Sequence, residues 1–223
     1  MSAQPFIFPR WTNQLRVVGA IAAGVVPLYA ILMLAYGATP ETIDVGYRPV
    51  QPIPYSHKLH AGDLGIDCRY CHNTVESTAQ ASLPPTQTCM NCHNTIRRDS
   101  QLLTPLYDSY QSGKPIPWVR VHDLPDYVYF NHSAHVSRGV SCVSCHGRID
   151  RMEVVYQAKP LSMGWCLECH RHPEPNLRPL DQITNLAWTP PAEADPERYG
   201  AELREKFGIR PSQYMTSCSV CHR

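Results

Sequence analysis

Outside five short motifs this chain of 223 residues has no cysteine, so no thiol is left over for a nucleophile or a disulfide partner. Large aromatics are scarce, with four Phe and four Trp beside twelve Tyr, and side chains alone supply little for one large core. Neither sign of charge is in excess: 20 basic residues face 19 acidic ones. A net charge of +1 gives no argument for a nucleic-acid partner or for attraction to an acidic membrane surface. No Gly-rich phosphate loop is visible, and no sustained apolar–polar alternation marks strands. What the chain has in quantity is proline, 21 of them, together with eleven histidines and ten cysteines.

All ten cysteines fall in Cys-x-x-Cys-His: Cys68-Arg-Tyr-Cys71-His72, Cys89-Met-Asn-Cys92-His93, Cys142-Val-Ser-Cys145-His146, Cys166-Leu-Glu-Cys169-His170 and Cys218-Ser-Val-Cys221-His222. This is the attachment motif of c-type haem. Its two thiols add to the two vinyl groups of a porphyrin, and the next residue, His, becomes the proximal iron ligand. Ten is an even number and would suit a disulfide framework, but disulfides do not need a His after every second Cys. Zinc sites group Cys-x-x-Cys pairs by twos, and five is odd. Five covalently attached haem c groups are therefore expected, and they would provide the apolar mass that the side chains lack. The expected fold is a multihaem cytochrome c: mostly loops and short α-helices wrapped around five haems, plus one N-terminal transmembrane helix.

That helix is expected over residues 17–36, a run of twenty without charge, the length needed to cross a bilayer. Arg10 and Arg16 precede it while Glu41 and Asp44 follow, which places residues 1–16 in the cytoplasm by the positive-inside rule. A cleaved signal peptide, with the small residues from Ala35 to Ala38 as cleavage site, is the competing reading. The apolar run is long for a signal core, so it is read as an uncleaved anchor, bent at Pro27 and bearing Gly and Ala suited to packing on other membrane helices. Residues 37–54, with a Pro-rich stretch from Tyr47 to Pro54, read as an extended linker to a periplasmic domain over 55–223.

Within that domain the first cysteines stand at 68, 89, 142, 166 and 218, giving steps of 21, 53, 24 and 52. Short and long steps alternate, as in a duplicated two-motif unit (55–98 and 129–175) followed by a truncated third (195–223). The flanks agree, since Pro54-Tyr-Ser-His57-Lys-Leu-His60 precedes the first motif and Tyr129-Phe-Asn-His132-Ser-Ala-His135 the third. Between motifs the chain reads as loop with short helices. One is expected over 100–112, with Leu102, Leu103, Leu106 and Tyr110 on its apolar face and Gly113 ending it. Another starts at Asp195-Pro196-Glu197 as N-cap, N1 proline and acidic first turn, and carries Tyr199, Leu203 and Phe207 in one stripe.

Five histidines are used as proximal ligands, leaving His57, His60, His122, His132, His135 and His172 for five sixth positions. The paired His-x-x-His before a haem motif resembles the class III multihaem cytochromes. That resemblance implies that His57 and His132 serve the first and third haems, while His60 and His135 reach neighbouring ones. The fifth distal ligand stays open. Met163, three residues before Cys166, is favoured, with Met215 or His122 as alternatives; His172 reads as solvent-facing or bonded to a propionate.

The single membrane helix, the five motifs and the stretches Trp118-Val-Arg-Val-His122, Leu124-Pro-Asp-Tyr-Val-Tyr-Phe-Asn-His132 and Met163-Gly-Trp-Cys166 resemble the pentahaem cytochrome c subunit of alternative complex III. The resemblance spans nearly the whole chain. It implies an electron-transfer subunit of a quinol-oxidising complex in the bacterial cytoplasmic membrane, with no catalytic residues of its own. Expected partners are an iron–sulfur subunit, a quinol-binding integral membrane subunit, another c-type cytochrome and a periplasmic electron carrier. Two other readings are a tetrahaem-type quinol dehydrogenase feeding a nitrate or nitrite reductase, which the fifth motif fits less well, and a multihaem enzyme with an open iron, which the ample ligand supply opposes.

Overall fold

The computed structural model describes residues 9–37 and 44–222. Residues 1–8 of the expected cytoplasmic flank, Ala38 of the alternative cleavage site and Glu41 of the charge asymmetry lie outside the described residues. The chain divides into two compact units, Met1–Ile43 and Asp44–Arg223.

In the first unit a 3-10 turn, Arg10–Asn13, runs into helix α1, Gln14–Gly37. At 1.5 Å per residue, its 24 residues span about 36 Å, enough for a hydrocarbon core of about 30 Å. Mean hydropathy reaches 2.4 over an 18-residue window, and none of α1 is buried against protein. A helix apolar on every side has no core to face here, so its greasy surface calls for lipid or for other helices. Membrane anchors and signal sequences share this length and composition.

The second unit contains no strand among the described residues, only two isolated antiparallel bridges, Val128 with His222 and Val140 with Leu177. Its helices are short. In chain order they are a π-helical turn at Lys58–Asp63, α2 (Cys68–Cys71), α3 (Thr86–His93), α4 (Thr104–Ser112), α5 (His132–Val136) and α6 (Cys142–His146), then α7 (Met163–Arg171), α8 (Pro196–Lys206), α9 (Ser212–Met215) and α10 (Cys218–Cys221). Local capping explains several starts. Asp67 accepts from the Arg69 amide at 2.8 Å to open α2, Asn131 caps α5, Ser162 caps α7, and Asp195 accepts from Glu197 and Arg198 to open α8.

Helix α8 braces the C-terminal third. Leu203 and Phe207 are buried with Leu177, and Val140, Tyr199 and Ile209 pack around them. Full burial of a side chain such as Leu203 stabilises by about 1.5–3 kcal/mol. Gly200 lets α8 approach the 3-10 turn Glu174–Asn176 so closely that a Cβ would meet the Glu174 carbonyl oxygen at 2.6 Å. Arg204 and Glu174 close that contact with a half-buried ion pair. Elsewhere the buried apolar residues are scattered singly, among them Ile53, Leu106, Val136, Met152, Ile183 and Leu186.

Two expectations need correction. The helix foreseen over 100–112 splits into a 3-10 turn, Gln101–Leu103, and α4, so the period breaks: Leu106 is buried, whereas Leu102 and Tyr110 face solvent. Residues 47–54 are extended but not a free tether. Gly46 donates to the Gln157 carbonyl, Gln157 donates back to Tyr47, Gln51 brackets both backbone groups of Val119, and Ile53 is buried.

Candidate haem-binding centres

Every Cys-x-x-Cys-His motif opens or spans a helical turn: α2, α3, α6, α7 and α10. Residues i and i+3 of a helix share one face, so the two sulfurs of each motif project to the same side with the histidine one step further. None of the ten thiols is in a disulfide. Nor does any group of three or more Cys, His, Asp or Glu converge on a point suited to one metal ion among the described residues, as a zinc site would require.

Neighbouring motifs come together through their cysteines. Cys71 of the first motif acts electrostatically on Cys89 of the second, and Asn91 donates to the Tyr70 hydroxyl at 2.9 Å across that junction. Cys68 of the first lies close to Cys142 of the third, which pushes the Cys68 thiol up. Burial, with Cys169 and Cys166 of the fourth motif nearby, pushes the Cys145 thiol up to about 12. Cys166 in turn is influenced by Cys221 of the fifth. The motifs therefore run in the order second, first, third, fourth, fifth, which differs from chain order at one end.

Histidine geometry is more telling. The Nδ1 atoms of His60, His72, His93, His132, His135, His170 and His222 each face a backbone carbonyl: Ser56, Ser82, Ile96, Ala79, Asn131, Met215 and Tyr127, at 2.7–3.2 Å. A carbonyl only accepts, so each Nδ1 donates, and in the neutral ring that leaves Nε2 bare. That is the tautomer of a metal-ligating imidazole with its outer nitrogen tied down. Burial also holds His146 down to about 3 and His57 to about 4, keeping both neutral at ordinary pH.

The rings also pair. A metal–nitrogen bond of about 2 Å on each side, plus about 1 Å from nitrogen to ring centre, sets two imidazoles sharing one metal about 6 Å apart. His60 and His93 stand 6.3 Å apart, His132 and His146 6.4 Å, and His135 and His170 6.1 Å. His57 neighbours His72 electrostatically. The residues present thus fit bis-imidazole ligation at the second, third and fourth motifs.

The internal repeat is visible in ring geometry. Tyr55 lies edge-on to His57 at 4.9 Å and stacks on His60 at 4.4 Å; Phe130 lies edge-on to His132 at 4.7 Å and stacks on His135 at 4.6 Å. These aromatics orient both His pairs. They were missed as site residues, although each sits two positions before the first His of its pair.

The remaining candidates are not drawn together. Met163 begins α7 with its side chain in solvent at 65% exposure, while Met215 is half-buried and gives its carbonyl to His170. His222 is flanked by Tyr127, which also accepts its Nδ1 proton. His172 is exposed. His122 lies against His146. Among the described residues, two buried side-chain polar atoms have no hydrogen-bond partner, His57 Nδ1 and Arg178 Nε.

No family model matches the chain. Over 129 residues, 57% of its length, it is 34% identical to the menaquinone reductase multihaem cytochrome c subunit of Nitratidesulfovibrio vulgaris (strain Hildenborough). The match spans 60% of that relative's length. The chain is thus homologous to a multihaem cytochrome c subunit, and it is built of helices and loops, without strands among the described residues, beside one N-terminal apolar helix.

Proposed function

We propose that this chain is a membrane-anchored pentahaem c-type cytochrome that relays electrons as a subunit of a quinone-active membrane complex. One observation carries the reading: five attachment motifs coincide with histidine rings that share one tautomer and, in three pairs, one separation. Covalent haem c, when bound, supplies a reversible one-electron couple that no side chain here possesses. The rest is the work of the chain's own residues. The ten motif cysteines would attach the groups. His72, His93, His146, His170 and His222 would hold the irons, His57, His60, His132 and His135 would supply second imidazoles to the first four, and Met163, with Met215 as the alternative, would serve the fifth. Backbone carbonyls hold the imidazoles in the tautomer suited to ligation, and a second side-chain ligand for each iron would leave no room for a substrate, so the subunit would move electrons without making bonds.

The complex is an alternative complex III or a close equivalent. Helix α1 anchors the chain, its N-terminus is cytoplasmic and the motif-bearing unit is periplasmic. Its partners are a quinol-binding integral membrane subunit, an iron–sulfur subunit, another c-type cytochrome and a periplasmic electron carrier. The name of the relative, a menaquinone reductase, supports a second reading in which electrons run the opposite way, into the quinone pool.

The test is to purify the complex in detergent, weigh the intact chain, and follow its α-band after adding either a quinol or a reduced periplasmic cytochrome. Five haem additions and reduction by quinol support the first reading. Reduction by the cytochrome, with quinone as acceptor, selects the second. Four or fewer additions overturn the pentahaem assignment.

A further inference from the structure

His146 differs from the other four motif histidines in what secures its ring. Those four offer Nδ1 to backbone carbonyls, whereas His146 Nδ1 lies 3.3 Å from Nε2 of His122, with the rings 4.4 Å apart and nearly perpendicular at 78°. We propose that His122 is a positioning residue for the third haem site: its Nε2 accepts the Nδ1 proton of His146 and fixes that ring with its own Nε2 turned to the iron. The inference rests on reading the third motif as a haem site.

Proton bookkeeping leaves one consistent arrangement. A His146 that ligates through Nε2 carries its single proton on Nδ1, so the facing nitrogen of His122 must be a bare acceptor and the His122 proton sits on Nδ1. His132 already stands 6.4 Å from His146 and nearly parallel at 11°, the separation of two imidazoles sharing a metal, so His122 is not needed as the second ligand there. Bonded to His146 through Nε2, His122 also cannot offer that nitrogen to the fifth iron. The segment that carries it is itself held: Gln51 brackets Val119, and Arg120 pairs with Asp123. An acceptor on the outer nitrogen raises ligand basicity and favours ferric iron. The third site is therefore the one where a side-chain substitution changes the ligand's second partner without removing the ligand.

The experiment compares wild type, His122→Ala and His122→Gln as purified holoprotein, each weighed intact to count haems. In His122→Ala all five irons stay low-spin, while one ferric EPR signal moves and one midpoint potential shifts upward. His122→Gln, which restores a carbonyl acceptor, returns both toward wild type. If every signal and potential in His122→Ala is unchanged, the proposal fails. It fails equally if either variant gains a high-spin, carbon monoxide-binding iron, because His122 is then an axial ligand. Should His122→Ala not assemble, His122→Gln decides alone: five low-spin irons at native potentials support the proposal, and a high-spin iron overturns it. A wild type with fewer than five haems, or without low-spin iron, instead defeats the haem reading itself.

Discussion

His135 and His170 face each other with ring centres 6.1 Å apart, and their Nδ1 atoms are tied off by the carbonyls of Asn131 and Met215. His60 and His93 repeat that relationship at 6.3 Å in the other copy of the unit. The second His of each pair thus reaches past the motif that follows it in the chain and meets the next one. On the proposed ligand set, removing it should open one iron only. In His135→Ala, one haem of the five becomes high-spin and binds one equivalent of carbon monoxide, and His60→Ala behaves alike. Two opened irons, or none, would sink the pairing.

The His57–His60 segment is placed by a close approach at Gly62, where a Cβ would run into the backbone oxygen of Asp150 in the 3-10 turn Ile149–Arg151. That oxygen cannot swing aside as a flexible side chain could. Gly62→Ala should cost about 1–3 kcal/mol by overpacking. Gly65→Ala has open space around it and pays only for its left-handed φ of +66°, about 1–2 kcal/mol. Only the first should also disturb the low-spin EPR signals of the neighbouring sites, because it separates the segment from the third-motif arm.

Asp67 caps the first motif helix, binds the Arg69 guanidinium and accepts from Thr184 at 2.9 Å. The Arg69 hydrogen bond, chief among these contacts, holds its carboxyl down to about 2. A depressed carboxylate contributes stability above its unfolded value and loses it as pH falls through the folded one. Asp67→Ala should therefore lower stability by about 1 kcal/mol at pH 7, nearly all from the cap because the ion pair is solvent-screened. The gap between variant and wild type, read from thermal melts, should close between about pH 4 and about pH 2. A gap unchanged at pH 2 would count against this origin.

Near-infrared magnetic circular dichroism of the oxidised protein should show one sulfur-to-iron band beside the bis-imidazole bands. Met163→Leu abolishes it if Met163 is the fifth distal ligand, and that haem should then no longer titrate at the highest potential. Persistence of the band in Met163→Leu and its loss in Met215→Leu would move the role to Met215, which the fold already buries by half.

Much of this was legible in the residues. The motif of Cys68, Cys71 and His72 is confined to five consecutive positions and one helical turn, so spacing alone makes it recognisable. The α8 start at Asp195 and its Tyr199, Leu203 and Phe207 stripe were equally local. Leu102 was misjudged because a 3-10 turn breaks the period that assigned it a face. The carbonyls that hold the imidazoles carry no signature, since any residue can supply one, and Ser82, Ala79 and Ile96 look ordinary in the sequence.

By itself, the sequence determined where the Cys-x-x-Cys-His motifs lie, how many there are and that one helix is apolar enough for a bilayer, because all of these depend on neighbours along the chain. Only the tertiary structure decided which imidazole faces which, that the first motif lies between the second and the third, and that His122 is held against His146 rather than left free. Those contacts join residues far apart in the chain, and they are set by where the π-helical turn meets the 3-10 turn Ile149–Arg151 and where Cys68 and His122 approach α6.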